Sequence, residues 1–356
     1  MIVKWDITSA CNLHCKHCCT GGQYYKNTPS LELQEAARII ESLARAGVTR
    51  VQFTGGEPLL REDLPEVLDL CAEQGLAVVI NTNGLLMKGR WLDPARLMKI
   101  TTLVFSLDGP DASTHEAVRG KNTFAPLIEN ISATVRVVRE AALPVRIHIN
   151  SVLSVPVVDR AADFVRLVHA LGVDQFGINV AVVTENVQRY PGDFDGVTWE
   201  RKYRFIETMV REALRLDVDV TFDTPPLGTA FINYLCGSSH RTVFHCGAAR
   251  TGVYVQADGT VHPCMRATQE LKPLLQRAPS LRTDDIRDVT SSRYFKRFGE
   301  LEQVNLDALE PCRTCKFKEH CSPCRFEYAN GVVTECMYVN EALAAVIEAR
   351  CDTAVR

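Results

Sequence analysis

The sequence predicts an α/β fold of about six βα units, short of a complete eight-stranded barrel, followed by a cysteine-rich C-terminal extension. Two observations predict it. From residue 2 onward, short β-rich runs alternate with amphipathic helical stretches, the pattern of parallel strands joined by crossover helices. Near residue 225 that alternation gives way to short strands, turns and cysteines, which divides the chain into residues 1–224 and 225–356. A chain of 356 residues is also long enough to split into two domains.

Taken in order, Ile2 to Ile7 reads as the first strand, Leu31 to Arg45 as a helix ended by Gly47, and Arg50 to Phe53 as the second strand. Helix Leu64 to Glu73 and strand Ala77 to Ile80 follow. Thr102 to Leu107, Pro144 to Leu153 and Gln175 to Val183 continue the strands, with helices Thr123 to Glu140 and Val158 to Leu171 between them. Helix Trp199 to Leu214 closes the series. Beyond it a hairpin is expected at Gly252 to Val261, turned by Asp258-Gly259, and Lys272 to Leu309 reads as polar and partly helical.

The net charge of −3 and the scattered Lys and Arg give no basic stripe, so nucleic acid is not an expected partner. No run of about 18 apolar residues and no signal segment appears, which predicts a soluble, cytoplasmic protein and no membrane partner. The 14 cysteines are the compositional outlier. A cytosolic pool keeps thiols reduced, so metal or catalytic duty explains them better than disulfides. Ten of the 14 fall into two sets, Cys11, Cys15 and Cys18 near the start and seven from Cys246 to Cys336.

Cys11, Cys15 and Cys18 form C-x3-C-x2-C just after the first strand, where functional residues of such folds gather. Three thiolates on one loop can bind three irons of a cubane and leave the fourth open for a chelating cofactor. The spacing arises by chance roughly 0.02 times in a chain of this composition. A zinc site or buried thiols are the alternatives.

Here the segment resembles the radical S-adenosylmethionine (radical SAM) superfamily. Gly55, Gly56, Glu57 and Pro58 look like its GGEP motif, which contacts the methionyl ammonium; two glycines let backbone carbonyls approach closely. The segments NTNG and SLDG follow the third and fourth strands. The resemblance implies that Asn83, Ser106 and Asp108 line the cofactor pocket, that Arg119 pairs with the methionyl carboxylate, and that Asn150 meets the ribose. The bland reading makes Arg119 a solvated loop residue and Asp108 a turn former. His17 takes the family's aromatic position or is an exposed loop histidine.

The C-terminal cysteines resemble the SPASM extension, so the resemblance implies a partial (βα)6 TIM-like barrel with that extension and two auxiliary 4Fe-4S clusters. By it Cys312, Cys315, Cys321 and Cys336 hold the outer cluster, and Cys246, Cys264 and Cys324 the inner one. Only Ser322 and Pro323 precede the sixth cysteine, where the family commonly has three residues. Cys236 is a candidate for the missing inner ligand or for a thiol hydrogen donor; an open iron is the other option. A zinc ribbon is the alternative reading of this set. Cys71 reads as core, and Cys19 and Cys351 match no ligand position.

The resemblance implies a radical SAM oxidoreductase or maturase that uses 4Fe-4S clusters and S-adenosylmethionine. A reductant such as flavodoxin or ferredoxin supplies electrons, and a 5'-deoxyadenosyl radical abstracts hydrogen from substrate. Peptide or protein maturation is the leading expectation. Oxidation or epimerisation of a small molecule such as an aminocyclitol or sugar, in natural-product biosynthesis, is the second, and a noncatalytic iron-sulfur or zinc scaffold the third. Cys11 lies so near the start that no leader-binding domain is expected before it. A sulfatase maturase would carry Asp after the second SPASM cysteine, where this chain has Met265. Loops Thr184 to Asp195 and Phe222 to Tyr234 are expected to wall the pocket.

Overall fold

Alternation of Val3, Trp5 and Ile7 with Lys4, Asp6 and Thr8 makes the first strand, β1 (Ile2–Thr8), present its large apolar side chains to one face of a sheet. A similar alternation recurs in the next five strands. A computed structural model describes residues 1–19, 28–181, 185–223, 247–265, 278–301 and 312–314. The first half runs β1, α1 (Leu33–Arg45), β2 (Arg50–Gly55), α2 (Leu64–Glu73), β3 (Ala77–Thr82), α3 (Pro94–Leu97), β4 (Thr102–Ser106), α4 (Ala112–Arg119) and α5 (Phe124–Glu140). Then come β5 (Arg146–Leu153), α6 (Ala161–Leu171), β6 (Gln175–Val180), α7 (Glu185–Gln188), α8 (Pro191–Phe194), α9 (Trp199–Leu216) and β7 (Val220–Asp223). The hairpin β8 (Gly252–Val255) and β9 (Val261–His262) follows, with helices Ile286–Ser291 and Arg293–Leu301 after it.

Strands β1 to β7 lie side by side in chain order, each parallel to the next. This is the progression of a barrel wall, and it puts every carboxyl end on one edge. The seventh parallel strand, β7, extends the six read from the sequence; at four residues it is too short to show a period, and its Phe222 had counted as loop. The hairpin forms as expected, with Tyr254 opposite His262 and Gly259 at φ +87 in the turn. Its first strand also pairs in parallel with the open edge of β1, Ile2 opposite Gly252. Tyr254 donates its hydroxyl proton to Asp6 across that seam, and both residues are buried. Residues 247–265 therefore share the barrel's sheet.

One apolar core joins the alternate strand residues Val3, Phe53, Ile80, Phe105, Ile149 and Phe176 to the helices, including Ile40 of α1, Cys71 of α2 and Phe164 of α6. Cys71 is core, as read from its helix position. On the opposite, inner face stand polar, half-buried residues: Gln52, Asn81, Ser106, His148, Asn150 and Asn179. Gln52 donates to Asn81 across β2 and β3 at 2.9 Å. A sheet apolar on one side and polar on the other leaves its inner face for ligands rather than packing.

Candidate functional site

The loop after β1 carries Cys11, Cys15 and Cys18, none in a disulfide. Its backbone turns where the Cys18 N–H donates to the Cys15 carbonyl at 3.1 Å, and the Lys16 N–H donates to the Val118 carbonyl of α4 at 2.9 Å. Burial pushes the Cys15 thiol up to about 12 and raises that of Cys11 as well. Left alone these thiols stay protonated near neutrality, so a bound metal has to displace the protons. The donor set fits an iron cubane, in which each thiolate meets a different iron and the three sulfurs need not converge on one point. Among the described residues no three ligating side chains converge as a single ion requires.

Gly55 and Gly56 are packed backbone to backbone against the start of this loop. A Cβ on Gly56 would lie 1.9 Å from the Ala10 carbonyl oxygen, and one on Gly55, at φ +120, 2.3 Å from that of Thr8. The Gly56 and Glu57 N–H groups donate to those same two carbonyls at 2.9 and 2.7 Å. The glycines thus hold the GGEP turn against the cysteine loop, a reason the sequence alone did not show. Glu57 is buried, and its carboxylate accepts from Thr82 Oγ1 at 2.7 Å, the Asn83 N–H at 2.7 Å and the Leu59 N–H at 3.1 Å. Burial raises its pKa, opposed by those bonds. Asn83 passes the contact on, its amide donating to Asn12 Oδ1 at 2.7 Å. Pro58 opens a helical turn, Pro58–Leu60, that Glu57 caps.

Asp108 and Arg119 are not the turn former and solvated loop residue of the bland reading. Arg119 is buried at the last turn of α4, a helix the sequence reading missed; the Asp111 carboxylate caps that helix by accepting from the Thr114 N–H at 2.9 Å. Arg119 Nε donates to Asp108 Oδ2 at 2.5 Å, and its terminal nitrogens lie 3.8 Å from Cys15 Sγ and 3.4 Å from His17 Nε2. The other Asp108 oxygen accepts from the Val152 N–H at 2.8 Å, and the Asp108 N–H donates to His115 Nδ1 at 3.1 Å. Burial would raise the Asp108 pKa, but Arg119 and then His17 hold it below the ordinary carboxylate value.

His17 is no exposed loop residue: its side chain is 8% exposed, wedged between Asp108 and the edge of Phe194. Burial lowers the pKa values of His17 and His115 to about 4, so both are neutral imidazoles at physiological pH. His17 Nδ1 is buried with no hydrogen-bond partner among the described residues. That leftover polar atom beside the loop suits a site made to receive a group.

Ser106 and Asn150 stand opposite each other on β4 and β5, on the inner face. Asn150 leans over Gly177 of β6, where a Cβ would lie 3.0 Å from its Oδ1. Cys264 follows β9, and its neighbour Met265 places Sδ 3.4 Å from Cys19 Sγ, so the end of the hairpin touches the end of the cysteine loop. Cys312 opens the short turn Cys312–Thr314. Cys236, Cys246, Cys315, Cys321, Cys324, Cys336 and Cys351 lie outside the described residues, as do Thr184 and residues 224–234 of the expected pocket loops.

Residues 5–144 match the Radical SAM superfamily, and residues 246–316 match an iron-sulfur cluster-binding domain, SPASM. The chain belongs to the radical SAM superfamily. It carries the SPASM domain of that superfamily and uses iron-sulfur clusters and S-adenosylmethionine.

An AdoMet-dependent heme synthase from Methanosarcina barkeri is 25% identical over 346 residues, 91% of this chain and 90% of that one. The mycofactocin maturase MftC of Mycolicibacterium smegmatis is 34% identical over 134 residues, about a third of each chain at 36% and 34%. Streptococcus suis SuiB, solved bound to its precursor peptide SuiA, superposes with a TM-score of 0.71 at 16% identity over 91% of this radical SAM chain and 71% of its own. At that identity the likeness speaks to the fold. Among the described residues no helix is long and apolar enough to cross a membrane.

Proposed function

We propose that this radical SAM enzyme matures a peptide or protein substrate, by crosslinking or side-chain oxidation, in the cytoplasm. The observation that carries the radical chemistry is convergence: the cysteine loop, the GGEP turn braced by Glu57, the NTNG loop and the Asp108–Arg119 pair meet at one edge of a parallel sheet. A cluster held there would supply, when bound and reduced, the electron for reductive cleavage of S-adenosylmethionine and hence hydrogen-atom abstraction from substrate.

The chain's own residues divide the work. Cys11, Cys15 and Cys18 hold the cluster. Gly55, Gly56, Glu57 and Pro58 hold the turn whose backbone takes the methionyl ammonium, with Asn83 tying that turn to the loop. Arg119, its Nε fixed by Asp108, keeps its terminal nitrogens for a carboxylate. Ser106 and Asn150 offer hydroxyl and amide groups to the ribose from the inner face. Fixed donors of this kind position the cofactor and keep water from the radical. Cys246, Cys264, Cys312, Cys315, Cys321, Cys324 and Cys336 hold auxiliary clusters, with Cys236 as a further ligand or a hydrogen donor. Flavodoxin or ferredoxin supplies the electrons.

Support for a peptide comes from the MftC relative and from the SuiB fold. A second reading, a small-molecule substrate of the tetrapyrrole class, is favoured by the heme synthase match over nine-tenths of both chains. The test is anaerobic turnover of the reduced holoenzyme with short peptides and, separately, with iron tetrapyrroles, reading substrate-dependent 5'-deoxyadenosine. Stimulation by peptides alone supports the first reading, and stimulation by tetrapyrroles alone overturns it.

A further inference from the structure

We infer that Asn186, on the segment after β6, is a positioning residue that sets the geometry of the cluster-binding loop. The inference rests on the radical SAM reading of that loop. The loop Thr184 to Asp195 is expected to wall a substrate pocket, and its described residues also hold the cysteine loop. Asn186 Nδ2 lies 3.0 Å from both the Cys15 and Lys16 carbonyl oxygens and 3.5 Å from that of Cys18. Peptide groups are planar, so holding two successive carbonyls holds two of the three planes that join the second cysteine to the third. With that, Asn186 fixes how far apart Cys15 and Cys18 present their sulfurs.

The segment is anchored so that it can hold this position. Asp193 forms an ion pair with Lys16 at 2.7 Å, and the Tyr190 ring lies under the same ammonium with its centroid 5.3 Å away. Phe194 meets His17 edge-on, and Val187 and Phe194 pack with Val118 of α4 in a small apolar cluster of their own. The loop is also held by the Val118 carbonyl and Arg119. Two elements far away in sequence thus hold the cysteine loop. Asparagine suits the task because one short stem presents two N–H donors, and loop carbonyls withdrawn from water need such partners. Aspartate has the same shape but only acceptors, and would face the carbonyl oxygens with a charge.

The test uses the full chain, reconstituted anaerobically, as Asn186→Asp, Asn186→Ala and Asn186→Gln. Two quantities are read: the rate at which a ferrous chelator strips iron, and the change that S-adenosylmethionine causes in the electron paramagnetic resonance signal of the reduced protein. Asn186→Asp and Asn186→Ala should release about four irons in a new fast phase. That phase should run about tenfold faster than in the wild type, the factor set by one net hydrogen bond. Both variants should also show a diminished response to the cofactor, with Asn186→Gln intermediate. The uncharged Asn186→Ala decides the matter where Asn186→Asp fails to fold. Iron release within twofold of wild type together with an unchanged cofactor response would overturn the inference. A wild-type signal that ignores the cofactor would instead sink the functional reading, and the chelator rates would still decide on Asn186.

Discussion

Arg119 and Asp108 form a buried ion pair, Nε to Oδ2 at 2.5 Å, with the arginine's remaining nitrogens turned toward Cys15 and His17. Removing the carboxylate charge leaves a buried guanidinium without its counter-ion. Asp108→Asn is therefore expected to lower stability by about 3–5 kcal/mol. Asp108→Asn combined with Arg119→Met, which removes both charges, should recover part of that loss. Anaerobic denaturant unfolding measures both, and a single-variant loss below about 1 kcal/mol would show the pair to be solvated.

The two faces of glycine substitution separate the GGEP turn from ordinary turns. Gly56→Ala puts a methyl 1.9 Å from the Ala10 carbonyl oxygen and must push Cys11 out of place. Gly192, in α8, has nothing within 4 Å of an added Cβ. Gly56→Ala should lose about four bound irons, those of the triad, while Gly192→Ala should match wild type or gain up to about 1 kcal/mol. Iron content and thermal unfolding, measured side by side, check both.

Acid should loosen the cofactor edge through its histidines. Burial, with Arg119's charge adding to it, lowers His115 to about 4, against an unfolded value of roughly 6.5. Between those values the unfolded chain binds the proton and the folded one does not, so stability is complete above pH 6.5 and falls as pH drops toward 4. His115 alone should remove about 2 kcal/mol between pH 7 and 5. His17 acts in the same direction. His115→Asn, which keeps an acceptor near Nδ1 for the Asp108 N–H, should flatten that slope by the same amount in unfolding experiments at pH 5, 6 and 7.

Glu57 braces two strand ends with three accepted bonds. In Glu57→Gln one oxygen becomes an amide that faces a donor. The expected effect is a loss of about 1–3 kcal/mol in stability and weaker S-adenosylmethionine binding by about tenfold. Equilibrium dialysis on the reconstituted protein measures the second, and unchanged affinity would leave Glu57 a brace of the fold alone.

Much of this was legible in the sequence because it is local. Helix α2 spans Leu64–Glu73 as its apolar spacing indicates, and the first six strands fall where their alternation places them. The cysteine loop, GGEP and NTNG are contiguous motifs at strand ends. Helix α4 was missed because Ala112–Arg119 is short, polar and lacks a long apolar stripe; Asp111 after Gly109-Pro110 was the available start signal. The partners of Arg119, the pairing of β8 with β1 and the reach of Asn186 to the cysteine loop depend on contacts between distant segments. Such contacts leave no spacing to read.

The measurement that tests the central claim most directly is formation of 5'-deoxyadenosine and methionine from S-adenosylmethionine by the reduced, anaerobically reconstituted protein. Both products should appear in the wild type and vanish in Cys11→Ala, Cys15→Ala and Cys18→Ala, which keep the auxiliary cysteines intact. A reconstituted protein that binds iron but forms neither product, or triad variants that still form them, would contradict the account.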